Sequence, residues 1–374
     1  MKKVVILQRV LPHYRVPVFD RLADVLKREN IRLEVLYGQQ RPGTVPETVR
    51  MDRPWAVFAK NSYFRMRHRE LVYQHVPAGK LDVDLVIFEQ ANRLIHNYPL
   101  LFFKKKRRKI AYWGHGKNMQ NRGGLLEQWK NKLINQVDWW FAYTDISRDI
   151  VAETGFPAVR ITVVCNAIDT DALNRELINI SLERAVKTLG QDGIAGTNIG
   201  LYCGGLYTDK KIDFLLHAAK KIRQQLADFE LVVIGSGPEE DKVRKAANEC
   251  SWIHYPGAKF GRELAPYLRS ARALLMPGLV GLVILDSFVA SVPLITTENN
   301  IHSPEIAYLK NNENGIITPY SADGYAKAVI NLLSSDDLQK KLQAGCRASA
   351  RKYTLANMVK NFADGISTCL AADT

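Results

Sequence analysis

Long apolar runs are missing from this sequence. The nearest approach, residues 274–285, is interrupted by Pro277, Gly278 and Gly281 and falls short of the ~20 residues a spanning helix needs, so no transmembrane segment is expected. Cysteine is sparse. Cys165, Cys203, Cys250, Cys346 and Cys369 are odd in number and widely spaced, with no paired spacing of the kind a zinc site or a redox dithiol requires. A disulfide scaffold is thereby excluded and a reducing, cytoplasmic compartment is implied. Low-complexity tracts and short-period repeats are lacking too, which argues against disordered and fibrous classes. Acid is in deficit: 52 Lys and Arg against 38 Asp and Glu leave a net charge of +14. That excess asks for an anionic partner, whether nucleic acid, a membrane surface or a phosphorylated substrate.

What is present is the composition of a soluble globular protein, 47% hydrophobic and 24% charged. At 374 residues two domains are more natural than one core. The N-terminal Met1-Lys2-Lys3 followed by Val4-Val5-Ile6-Leu7 is closed by Gln8 and Arg9 without a small-residue cleavage site, and is read as a first strand rather than a leader. Short apolar runs then alternate with helical stretches: strands at 4–7, 33–37, 85–88, 110–113 and 139–143, with an amphipathic helix over 16–27. That alternation is the pattern of parallel sheets wrapped by helices. Between Gln39 and Lys80 it fades, and loops and helices inserted on the first domain are expected. After a polar, glycine-bearing stretch a second series follows, with strands near 198–202, 231–234, 253–255, 273–276 and 294–296. The expected organisation is an α/β chain of two Rossmann-like doubly wound domains, 1–175 and 176–353, whose strand ends face a shared cleft.

Several segments carry candidate chemistry. Gly204-Gly205-Leu206-Tyr207-Thr208-Asp209-Lys210-Lys211 lies between a strand and a helix, where glycine permits close backbone approach, a helix start favours anions, and Lys210 and Lys211 offer countercharge to a diphosphate. An ordinary βα loop with solvated lysines is the competing reading. Gly235-Ser236-Gly237 suits a tight turn beside a ligand, but it lacks the third glycine of a dinucleotide fingerprint. In the 277–288 passage, Gly278 and Gly281 free the backbone so that amides at Gly281, Leu282 and Val283 can meet phosphate or sugar oxygens, and Asp286 follows one turn later. An acid inside so apolar a helix is costly to bury unpaired; a helix-packing glycine loop with Asp286 as an ordinary polar position is the competing reading. In the first half His115 stands between Gly114 and Gly116 at a strand end, followed by Lys117. The segment Phe102, Phe103, Lys104, Lys105, Lys106, Arg107, Arg108 and Lys109 places bases beside apolar rings, as an anionic bilayer surface favours; Tyr63–Arg69 has similar character. A solvated basic loop is the alternative.

Together these segments resemble the retaining glycosyltransferases of the GT-B fold, family 4 (glycosyl transferases group 1), of the type that assembles bacterial cell-envelope polysaccharides such as O-antigen. In that family a Gly-Arg-Leu element with a downstream lysine opens the donor domain, and the lysine contacts the donor diphosphate; the resemblance gives Lys210 that role, with Lys211 beside it, and puts Gly205 in the arginine's place. The family's two glutamates separated by seven residues correspond to Gly278 and Asp286, so the ribose contact passes to Asp286 and the sugar-contacting carboxylate is missing. Asn166-Ala167-Ile168-Asp169 resembles the end of the acceptor domain, and residues after about Thr354 resemble the closing helix that returns to the first domain, giving 354–374 as a third segment. The loop holding Tyr14 and Arg15 lines the acceptor side in the family, and Arg15 is also within reach of a donor phosphate there.

The resemblance implies transfer from a nucleoside-diphosphate sugar to a glycan or lipid-linked glycan acceptor at an anionic membrane surface, with His115, Lys210 and Asp286 as catalytic candidates and no nucleic acid partner. No cofactor and no metal are implied, and no Asp-x-Asp pair is assigned to Mn²⁺. A sugar-nucleotide epimerase of the same fold, or a non-catalytic basic protein that binds membrane or nucleic acid, are the alternatives.

Overall fold

The computed structural model describes residues 1–41, 50–66, 69–103, 107–116, 133–299 and 301–372. The chain divides into two compact units, residues 1–168 with 355–374, and residues 169–354.

The first unit contains β1 (Lys2–Val10), β2 (Ile31–Gly38), β3 (Ala56–Phe58), β4 (Asn61–Met66), β5 (Arg69–Gln74), β6 (Leu85–Glu89), β7 (Lys109–Gly114), β8 (Trp139–Ala142) and β9 (Ile161–Val163). Seven of these form a sheet in the order β3-β2-β1-β6-β7-β8-β9, every pairing parallel. Val4, Val5, Ile6 and Leu7 of β1 are almost wholly buried, as strands covered on both faces must be. The helix Val16–Arg28 starts with Pro17 in its first turn and buries Val18, Phe19, Leu22 and Leu26. That spacing makes one apolar stripe.

The stretch expected to hold loops and helices instead supplies β3 and an antiparallel hairpin, β4 with β5. Its alternation is aromatic and basic rather than apolar, so hydropathy does not reveal it. Buried Asn61 anchors it, donating through Nδ2 to Arg9 O at 2.6 Å and Gln39 O at 2.9 Å.

The final helix, Leu355–Ala371, belongs to the first unit. Phe362 packs its ring 4.9 Å from Trp113 and 4.7 Å from Phe141, and a Cβ at Gly365 would lie 2.6 Å from Thr162 Oγ1.

The second unit contains β10 (Asn198–Cys203), β11 (Phe229–Ile234), β12 (Ile253–Gly257), β13 (Ala273–Leu275), β14 (Leu294–Thr297) and β15 (Gly315–Thr318). They form one sheet ordered β12-β11-β10-β13-β14-β15, again parallel throughout. The reversal of strand order beside β10 is where such sheets bind ligands, at their C-terminal edge. The boundary between units falls at Ile168/Asp169 because Asp169 caps the helix Thr170–Asn179, accepting from Asp171 N at 3.1 Å, and that helix packs on Val283–Ala290 and Ala265–Ser270. No described helix is long and apolar enough to cross a membrane.

Candidate functional site

Two glycine-bearing loops meet at the C-terminal ends of β10 and β13. The first leaves β10 at Cys203, runs through Gly204 and Gly205, makes a short 3-10 turn at Thr208–Lys210, and enters the helix Ile212–Gln225 through Lys211. Lys211 has φ of +59°, a left-handed conformation that costs a non-glycine residue about 1 kcal/mol or more and tends to mark functional loops. The second loop, 277–282, leads into the helix Val283–Ala290. The two are joined backbone to backbone, with Leu279 N donating to Asp209 O at 2.9 Å, and by Lys210, whose Nζ donates to Leu279 O at 2.6 Å.

The side chains gathered here have altered chemistry. Asp286 is half-buried and makes no hydrogen bond or ion pair among the described residues; burial raises its carboxyl to about 7. Lys210 is 7% exposed, and burial lowers its ammonium to about 8. Cys203 feels both, its thiol pushed up to about 12 by burial first and by Asp286 second. A lysine, an unpartnered carboxyl and free backbone amides therefore share one loop cluster. The amides of Gly281 and Leu282 find no acceptor among the described residues, as expected of a helix start.

Several glycines have a packing task that the sequence does not show. A Cβ at Gly278 would lie 2.3 Å from Asp209 O and 2.6 Å from Lys210 O, so the absent side chain is what lets the two loops touch. Gly235 and Gly237 likewise face backbone rather than open space: a Cβ would come 1.9 Å from Gly204 O and 2.4 Å from Leu206 O respectively. They let the 235–237 turn hydrogen-bond the 204–206 loop, Leu206 N donating to Ser236 O at 2.9 Å. Gly205 is less confined, its nearest neighbour being the Tyr207 ring.

His302 was missed by sequence reasoning. It is 8% exposed; its Nδ1 accepts from Val280 N at 3.1 Å, and its Nε2 lies 2.8 Å from Thr297 O. The first bond requires Nδ1 to be unprotonated, so Nε2 carries the hydrogen. With Thr297 Oγ1 donating to Pro277 O at 2.6 Å and Ser303 N to Val280 O at 2.9 Å, it laces the glycine loop to the segment after β14. Histidine with neighbouring Thr and Ser has no sequence signature of this task.

In the first unit, Arg15 is buried beside Trp113 and Tyr143, while Tyr14 is 45% exposed. His115 follows β7, its ring edge-on to Tyr143 at 4.6 Å. Surrounding protein first, and the Arg15 cation second, hold its imidazole below the ordinary histidine range. The 115–116 turn is fixed by Gln90, which accepts from Gly116 N at 2.9 Å and donates to Gly116 O at 2.7 Å.

Of the basic segment, Phe102 and Phe103 are 59% and 76% exposed, and Arg107 is exposed. Arg108 instead donates to Leu81 O at 3.3 Å, and Lys109 Nζ donates to Cys369 O at 2.6 Å and to Ala372 O. There it satisfies carbonyls at the end of the final helix, not a surface. Lys104, Lys105, Lys106 and Lys117 lie outside the described residues. Two Asp-x-Asp pairs do occur: Asp84 of the first binds Lys2 Nζ and Lys3 N at the opposite, N-terminal edge of its sheet, and Asp169 of the second is the helix cap described above. Among the described residues no His, Cys, Asp and Glu cluster could hold a metal ion.

Residues 17–172 match the family described as Glycosyltransferase Family 4, and residues 197–335 match Glycosyl transferases group 1. The chain belongs to glycosyltransferase family 4. The family 4 chain is 24% identical over 238 residues to the phosphatidyl-myo-inositol mannosyltransferase of Mycobacterium leprae, covering 62% of itself and 58% of that protein. It is 21% identical over 301 residues to the alpha-D-kanosaminyltransferase of Streptomyces kanamyceticus, covering 76% and 70%. The mannosyltransferase match thus spans little more than half of that relative's length. Among solved structures, the Anabaena HepE protein in complex with UDP superposes with a TM-score of 0.70 at 13% identity, covering 98% of this chain and 100% of that one. The fold of this family 4 chain is accordingly GT-B.

Proposed function

We propose that this family 4 protein is a retaining, metal-independent glycosyltransferase that moves a sugar from a nucleoside-diphosphate sugar to a lipid-linked glycan acceptor in polysaccharide assembly. The observation that carries the donor half is the presence, around the loops that follow β10 and β13, of both an unpartnered half-buried Asp286 and a buried Lys210. The Asp286 carboxylate accepts from ribose hydroxyls, and the Lys210 ammonium leaves Leu279 O for the donor diphosphate. The acceptor hydroxyl attacks the anomeric carbon as the bond to diphosphate oxygen breaks, and its proton passes to the departing phosphate. Preorganised charge stabilises the leaving group in place of a metal. Gly205, Gly235, Gly237 and Gly278 shape the loops, and Lys211, Gly281, Leu282 and Val283 offer further donors. In the first unit Tyr14, Arg15, His115 and Lys117 serve the acceptor.

A thermal-shift and calorimetric screen against UDP, GDP, ADP, TDP and their sugar conjugates tests the donor half. One nucleotide is expected to stabilise the protein, with Lys210→Ala weakening it at least tenfold. Affinity is expected to peak between about pH 7 and pH 8, falling in acid as Asp286 protonates and in base as Lys210 loses its proton. No response to any nucleotide, or a flat pH profile, rejects this reading.

The lipid-linked acceptor is supported by the exposed rings of Phe102 and Phe103 beside the basic segment. In flotation with vesicles containing anionic phosphatidylserine, the protein is expected to rise with the vesicles and the double variant Phe102→Ala, Phe103→Ala to stay largely below; equal flotation of both removes this segment from membrane contact.

A further inference from the structure

Arg15 is a buried cation with no ion pair among the described residues. Its side chain is 7% exposed, and its guanidinium lies 4.1 Å from the Trp113 ring centre, with Tyr143 and Tyr14 at 5.6 Å and 5.9 Å. Nη2 donates to Tyr143 Oη at 3.2 Å. Nη1 is buried with no hydrogen-bond partner, and no ion pair to Arg15 occurs among the described residues. Aromatic faces supply part of what water would, but a buried charge left unpaired costs several kcal/mol. Groups held in that state mark sites where a ligand brings the opposite charge.

The neighbours bring only part of it. Burial works against the guanidinium, and Tyr143, Tyr14 and Glu89 offset that, so its proton is held more tightly than usual. But Glu89, at the C-terminal end of β6, accepts from Arg9 N at 3.0 Å and is felt by Arg15, Arg9 and Arg93 together, so three guanidinium groups share one carboxylate. Arg15 also stands directly before the 13-residue helix Val16–Arg28 and just beyond β1. The Val16 N–H is taken by His13 O and Pro17 has none, so of the two it is the C-terminal edge of the sheet that suits a phosphate.

We propose that Arg15 is the centre of an anion subsite in the first unit that takes a phosphate or diphosphate ester, and that this group belongs to the acceptor. The word acceptor rests on the glycosyltransferase reading; the anion site does not. A bidentate guanidinium suits a phosphate better than an ammonium does, and Tyr14 is the most exposed of the aromatic side chains beside it.

The probe is inorganic pyrophosphate, titrated by calorimetry into the full chain carrying Lys210→Ala and Lys211→Ala, so that the loop lysines of the second unit contribute nothing. Saturable binding is expected, weakened at least tenfold by Arg15→Met and less by Arg15→Lys. Unchanged binding in Arg15→Met overturns the subsite. The same variant checks folding without ligand: an unfolding midpoint within a few degrees of wild type assigns the lost binding to the site, whereas a fall of several degrees with pyrophosphate binding retained marks Arg15 as structural. Geranyl diphosphate separates the sources. Tighter, Arg15-dependent binding than pyrophosphate assigns the site to a lipid-linked acceptor, and equal affinity assigns it to a soluble phosphate ester. If Arg15→Met, with Lys210 and Lys211 intact, weakens nucleoside diphosphate binding as strongly as it weakens pyrophosphate, the anion is the donor's and the acceptor assignment fails. Absence of any nucleotide response in the wild-type chain rejects the glycosyltransferase reading while leaving Arg15-dependent pyrophosphate binding standing.

Discussion

Replacing Asp286 by Asn is expected to raise the unfolding midpoint at pH 8 while abolishing stabilisation by the nucleotide. The carboxyl is held at about 7 in the folded protein against an ordinary 3.8, because burial disfavours its charge. A group with a raised folded pKa favours folding while it is protonated, so stability falls as pH climbs from about 4 to 7 and the full penalty remains above that. Each tenfold change in proton affinity corresponds to about 1.4 kcal/mol, and partial exposure of Asp286 reduces the sum to about 2 kcal/mol. Asparagine carries no such penalty. The expected gain is about 4–8 °C at pH 8 for a unit of this size, shrinking to nothing near pH 4. Binding moves the other way, since charge-assisted hydrogen bonds to ribose hydroxyls are worth about 1.5–3 kcal/mol each, and a loss of roughly 100-fold is expected. An Asn variant that is less stable at pH 8, or that binds nucleotide as the wild type does, makes Asp286 a structural residue.

Gly278→Glu introduces the carboxylate that the family resemblance leads one to expect there, and it is expected to damage the site instead of improving it. The new Cβ would enter the space of Asp209 O, Lys210 C and Lys210 O, at 2.3, 2.5 and 2.6 Å. All three are backbone atoms, so no rotamer relieves the contact. The loops must separate, breaking both the Leu279 N to Asp209 O bond and the Lys210 Nζ to Leu279 O bond. Overpacking costs about 1–3 kcal/mol, and the lost hydrogen bonds add about 1 kcal/mol each, for a fall of roughly 5–15 °C in the midpoint. Gly278→Ala is the control: because the Cβ itself is the obstacle, alanine should be nearly as harmful as glutamate. Wild-type stability in either variant, or tighter nucleotide binding by Gly278→Glu, means the loops do not meet as described.

Both variants expose what motif reading misses. The family resemblance sets Gly278 and Asp286 against paired glutamates, and says only that one side chain is absent. What its absence permits is backbone contact between two loops, although Lys210 and Leu279 stand 69 residues apart in the chain, and that contact is not written into either loop. The same holds for Gly235 and Gly237, which look like a ligand turn and serve as the clearance for a neighbouring loop. His302 and Lys109 fail for a related reason: one links backbone groups at Val280 and Thr297, the other ends up on carbonyls of the final helix, and neither set of partners forms a motif that can be read along the chain.

The sequence by itself determined the layered α/β architecture, since apolar runs buried on both faces and one-sided helices admit few other arrangements. It also placed β10 to β14 close to where they lie, brought forward Lys210 and Asp286, and tied the final segment to the first unit through its family resemblance. Only the tertiary structure decided which lysine turns inward, that Asp286 lacks a partner, that Gly235, Gly237 and Gly278 exist for loop-on-loop packing, that the 56–74 region is strand, and that Arg15 is a buried cation with an unpartnered nitrogen. Periodicity records how each element meets the core, whereas burial of charge and close backbone approach arise only when distant segments are brought together.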